Sequence, residues 1–72
     1  MQINSEQYRA ARDGHFFSRI TPLNGEPVTL NMPTPRGRRF LPVGNVSEIK
    51  DLGQGKCLVR IANLEPVQGI YS

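Results

Sequence analysis

Residues 43–61 read "VGNVSEIKDLGQGKCLVRI", two apolar-rich runs on either side of Gly53-Gln54-Gly55-Lys56. In the second run Cys57, Val59 and Ile61 alternate with Leu58 and Arg60, the period of two that gives a strand one face for a core and one for water. Gly53 and Gly55 can take the positive φ angles that tight hairpin loops demand. The segment therefore reads as a β-hairpin. Gly44, near its start, marks a bulge or a sharp bend in a long strand, and such a bend lets a few strands curl into a small barrel.

Upstream, "PVTLNM" alternates through Val28, Leu30 and Met32. "HFFSRI" places Phe16, Ser18 and Ile20 on one face, with Phe17 and Arg19 on the other. Both read as strands. The Asn24-Gly25 pair between them is a turn signal, so these two strands are expected to form a hairpin. Residues 4–13, "NSEQYRAARD", read as a short helix: Asn4 caps it, Gln7 completes a capping box and Gly14 stops it. Isolated helices below about 12 residues are marginal in water, so this one must dock on the body or on a partner. The organisation is a single domain over 1–72, with a helix at 4–13, a β core at 15–61 and an extension at 62–72. The extension is expected to form a one-turn helix or a short strand, or to fray. The fold class is mainly β, a small antiparallel sheet or an SH3-like open barrel, with a short N-terminal helix.

Composition bounds the rest. Leu, Ile, Val and Phe supply 19 of 72 residues, above the roughly 20% below which a charged chain tends to stay disordered. A chain this short buries only about 60% of the surface its unfolded form exposes. One small core is possible, and a partner is expected to add stability. No run of about 18 apolar residues or signal-peptide pattern is present, so the chain is expected in the cytoplasm, with no membrane partner. Cys57 is the single cysteine and His15 the single histidine, too few ligands for a structural zinc site. Neither metal nor cofactor is expected. Cys57 reads as a small buried hydrophobe and His15 as a polar strand start.

Enzyme chemistry finds no constellation. One histidine has no evident nucleophile beside it, the six acidic residues lie in the helix or next to turns, and "GQGK" lacks the span of a phosphate-binding loop. The expectation is a non-enzymatic protein.

The net charge is +3, and the whole excess is local. Between Glu26 and Glu48 the only charged residues are Arg36, Arg38 and Arg39. They stand in "PTPRGRRFLP", residues 33–42, read as a loop whose far end Phe40, Leu41 and Pro42 anchor to the core. Within it Arg36-Gly37-Arg38 resembles the core of the AT-hook, an extended segment whose arginines reach into the DNA minor groove. Arg39 stands where that family has proline. The same side chains could bind phosphates without reading sequence, or meet an acidic patch on a protein. A plain solvated loop would also fit, but three like charges in four positions repel each other and gain nothing from folding. Arg36, Gly37, Arg38 and Arg39 are thus the contact candidates. Phe17 and Arg19 on the first strand, and Tyr8, Arg9 and Arg12 on the helix, are candidates for additional contact. Phe16, Phe17 and Phe40 read first as core, with alternation placing one of Phe16 and Phe17 outside.

The hairpin of residues 43–61 resembles the central strands of small SH3-like barrels, including KOW-type modules of transcription and translation factors. In its brevity, mild basic excess, lone cysteine and lack of a catalytic group, the chain resembles the very short bacteriophage-encoded regulators that bind host RNA polymerase, the inhibition and antitermination class. That resemblance implies a factor in the host cytoplasm that docks on the polymerase and alters initiation or termination. Arg36, Arg38 and Arg39 would then lie near emerging RNA or DNA. A direct DNA- or RNA-binding module, and a small structural adaptor, are the other two expectations.

Overall fold

A computed structural model describes residues 1–67. Its elements in chain order are β1 (Gln2–Ile3), α1 (Ser5–Arg12), β2 (Phe16–Ser18), β3 (Pro27–Thr34), β4 (Gly37–Gly53) and β5 (Lys56–Ala62). The strands form one sheet in the order β1-β3-β4-β5-β2. Every pairing is antiparallel except that of β1 with β3. The protein is mainly β with one short helix, as the sequence implies.

β4 organises the sheet. Its N-terminal half pairs with β3 and its C-terminal half with β5. At about 3.3 Å per residue a straight strand of 17 residues would span about 53 Å, whereas the longest dimension of the molecule is 37 Å. β4 must bend, and the bend is at Gly44. Val28 pairs with Gly44 and Thr29 with Pro42, so Val43 is an extra residue in β4, a bulge that turns the strand. Gly44 has φ +152°, and a Cβ there would lie 2.6 Å from the Ala62 carbonyl oxygen. Only glycine fits. The sheet curls into a half-barrel as a result.

The inner face carries Val28 and Leu30 from β3, Val43 and Val46 from β4, and Cys57, Val59 and Ile61 from β5, all buried. α1 packs against β2, β3 and β5 and adds Tyr8 and Ala11. Its capping box forms as the sequence predicts, with the Gln7 N–H donating to Asn4 Oδ1 at 2.8 Å and the Asn4 N–H donating to Gln7 Oε1 at 3.0 Å. Phe16 is buried and Phe17 exposed, the alternation expected.

Three expectations are corrected. β2 and β3 do not form a hairpin, because β4 and β5 lie between them. The Asn24-Gly25 turn does form, but Gly25 N–H donates to the Val46 carbonyl and Val46 N–H to the Glu26 carbonyl, which fastens the turn to β4. Pro22 and Pro27 remove donors that a β2–β3 ladder would need. Ile20 lies beyond β2 and is exposed, because Ser18 Oγ accepts the Ile20 N–H and donates to the Ile20 carbonyl, curling the chain out of the strand. Phe40 is 53% exposed and Pro42 also faces solvent, so "FLP" is no core anchor. Past β5, Glu65 N–H donates to the Val43 carbonyl. The expectation for the extension lies outside the described residues from 68 onward.

Candidate nucleic-acid interface

The segment read as an arginine loop is the end of a two-stranded ribbon. Thr34 pairs with Gly37, leaving Pro35 and Arg36 as the loop. Thr-Pro-Arg-Gly matches a type I turn, with proline at the second position and glycine at the fourth. Thr34 holds it: its hydroxyl donates to the Gly37 carbonyl at 2.6 Å and accepts from the Arg36 N–H at 3.3 Å. Gly37 has φ +116°, the conformation that brings the chain back into β4 and that a side chain would strain. The glycine closes a turn, so Arg36-Gly37-Arg38 is not the continuous extended segment of the AT-hook.

Pairing fixes where each arginine sits. Arg36 is at the tip. Arg38 pairs with Pro33 and Phe40 with Asn31, so these four share one face. On it the Arg38 Nη1 donates to Asn31 Oδ1 at 3.3 Å, which holds the guanidinium along the ribbon. Arg39 pairs with Met32 and Leu41 with Leu30, the opposite face. Arg36, Arg38 and Arg39 are all exposed and border a shallow hollow of about 470 Å³ with Thr34 and Pro35.

Among the described residues the ribbon has no third strand over this stretch. β1 reaches only Thr29 and Leu30, and β5 pairs with β4 from Asn45 onward. From Asn31 to Phe40 neither edge is paired by another strand of the described residues, and the arm extends about 10 Å beyond the sheet at 3.3–3.4 Å per residue. Among the described residues the only ion pair joins the N-terminal ammonium to Glu26 at 2.9 Å. Among the described residues none of the three arginines has a carboxylate partner. Comparison with protein-family models, with curated proteins and with solved structures finds no match.

The other candidates divide. Tyr8 is corrected from contact to core: it is buried, and its hydroxyl donates to the Glu65 carbonyl and accepts the Val67 N–H, tying residues 65–67 over the helix. Arg9 and Arg12 lie in the last turn of α1, where they oppose the negative end of the helix dipole, and not on the ribbon. Phe17 and Arg19 are exposed and border a separate cleft with Lys56. Sequence reading missed Thr34 and Asn31. The Thr-Pro-x-Gly spacing was a usable signal for Thr34, whereas Asn31 meets Arg38 only through the β3–β4 register.

Proposed function

We propose that this chain is a small non-enzymatic binding module that contacts nucleic acid through the β3–β4 ribbon. The observation that carries the reading is a two-stranded arm with Arg36, Arg38 and Arg39 on it and, among the described residues, no further strand on its edges and no carboxylate partner. Guanidinium forks match phosphate oxygens, and a two-stranded ribbon fits the major groove of duplex DNA. Three arginines are fewer than the 6–10 phosphate contacts of strongly salt-dependent binders, so affinity from the ribbon alone is modest and the arm serves as one contact of a larger assembly. Titration of labelled duplex DNA and RNA against salt tests this. The expected slope of log K on log salt is about −2 to −3, from roughly 0.7–0.9 per neutralised phosphate. Absence of binding at low salt would remove the reading.

A second reading places the module on RNA polymerase, modulating initiation or termination, with the ribbon reaching nucleic acid that the enzyme already holds. It is favoured by the exposed Phe17, Ile20 and Leu23, apolar side chains outside the ribbon that suit a protein contact. Retrieval of RNA polymerase from bacterial lysate by the tagged chain, surviving nuclease treatment, is the outcome it requires. Recovery of polymerase only while nucleic acid is intact would leave the ribbon reading alone.

A further inference from the structure

We propose that the open seam of the half-barrel accepts one added strand, an extended segment of a protein partner that alternates apolar with acidic residues. β1 and β2 are the two ends of the strand order, and among the described residues neither has a strand on its outer side. The Thr29 N–H donates to the Met1 carbonyl at 2.8 Å, and Gln2 is in register with Thr29. In a parallel pair this directs the backbone groups of Met1 and Ile3 to β3 and leaves those of Gln2 pointing outward. On the other side, the Phe17 carbonyl accepts a long hydrogen bond, 3.4 Å, from Gln7 Nε2 of α1. That carbonyl therefore points away from β5, and Phe17 faces Leu58 as a non-hydrogen-bonded pair whose N–H points outward too.

Gln2, Gln7 and Phe17 line one cleft of about 550 Å³. An unpaired strand edge is a template for another strand, and this cleft offers such groups from both of its sides. The long Gln7 bond is readily exchanged for a better acceptor or donor. The walls set the chemistry of the occupant. Phe17 and Ile20 are 63% and 74% exposed, an apolar anchor for alternate side chains. Arg19 and Lys56 complete the wall, and among the described residues no carboxylate lines the cleft, which selects acidic residues between the apolar ones. The inference is independent of what the ribbon binds.

The test titrates the isotope-labelled full chain with a short end-blocked peptide alternating valine and glutamate, and reads amide shifts and hydrogen exchange. In the free chain the Gln2 and Phe17 amides should exchange fast; at saturation each should slow at least about tenfold. Arg19→Glu with Lys56→Glu, both at exposed positions, should weaken the peptide at least about tenfold. Phe17→Pro deletes the outward donor at an edge position where proline is tolerated, and should weaken it similarly. Equal binding of the same peptide with lysine for glutamate overturns the proposal, as does protection that bypasses Gln2 and Phe17, or no binding at millimolar peptide. Protection of the same amides by oligothymidylate would instead assign the cleft to nucleic acid. Protection in the free chain that rises with its own concentration would assign it to a second copy.

Discussion

Thr34-Pro35-Arg36-Gly37 and Gly53-Gln54-Gly55-Lys56 turn the chain at opposite ends of β4, and they are built differently. In the second, Gln54 and Gly55 both have positive φ, +55° and +73°, the type I′ geometry whose twist matches the flanking strands. It is a backbone solution that sets the register of β4 on β5 and so places Cys57, Val59 and Ile61 inside. The first uses a proline, a threonine hydroxyl and a glycine to close a turn with φ negative at Pro35 and Arg36, and carries its charges outward. Val43 and Gly44 divide the two regimes. Beyond the bulge β4 contributes to a core; before it β4 is half of an arm whose side chains contribute little to folding. A strand can thus carry core residues along one half and exposed charge along the other.

The sharpest way to break this division is Gly44→Ala. The added Cβ meets backbone and the Ile61 side chain, and overpacking and backbone strain cost about 1–3 kcal/mol each. Against the roughly 3–5 kcal/mol that a core of this size supplies, the variant should be largely unfolded by circular dichroism; a native-like urea transition would contradict the bend. Next, Leu30→Ala should cost about 3 kcal/mol while Phe40→Ala on the ribbon stays within about 0.5 kcal/mol. Equal losses in urea titration would erase the contrast between body and arm. Tyr8→Phe should cost about 1–2 kcal/mol, because the Glu65 carbonyl and Val67 N–H lose their partner. Its mark is faster amide exchange at Val67.

The smallest effect concerns acid. The hydrogen bond from the N-terminal ammonium, with help from the Leu23 N–H, holds the Glu26 carboxyl below its ordinary value of 4.5. A value lower in the folded chain than in the unfolded one means that the unfolded chain binds more protons across that window. The contribution is present above the ordinary value and is lost as the pH falls through the folded one. Glu26→Gln should flatten that part of the stability profile by slightly lowering the neutral-pH melting point while leaving the acid end unchanged. An acid limb of unaltered slope would show that the pair does not act.

Local signals were legible in the sequence. The Asn4–Gln7 capping box and the hairpin around Gly53-Gln54-Gly55-Lys56 need only neighbours within a few residues, and both formed. Gly44 was legible because a glycine inside an apolar run has few other uses. The β2–β3 hairpin failed because Asn24-Gly25 specifies a reversal and not a partner; long-range pairing gave β2 to β5. Phe40 failed because its face is set by the bulge, which shifts the alternation of β4 between Phe40 and Val46. The charge excess of the ribbon was plain from the absence of acids between Glu26 and Glu48. Its shape was not, since the open edges follow from where β1 and β5 stop. The seam was invisible for the same reason: nothing near Gln2 announces a two-residue parallel strand.

On the proposed reading, charge position on the ribbon, and not charge alone, makes the binding surface. Two triple variants lower the net charge equally: Arg36→Gln, Arg38→Gln, Arg39→Gln, and, at exposed positions of the body, Arg12→Gln, Lys50→Gln, Arg60→Gln. Fluorescence anisotropy of a labelled duplex at low salt compares them directly. The ribbon triple should melt within about 0.5 kcal/mol of the parent, lose most of its affinity and lose most of the salt slope of about −2 to −3. The body triple should keep that slope with a modest loss in affinity. Equal losses in the two variants would contradict the assignment of the β3–β4 ribbon as the contact.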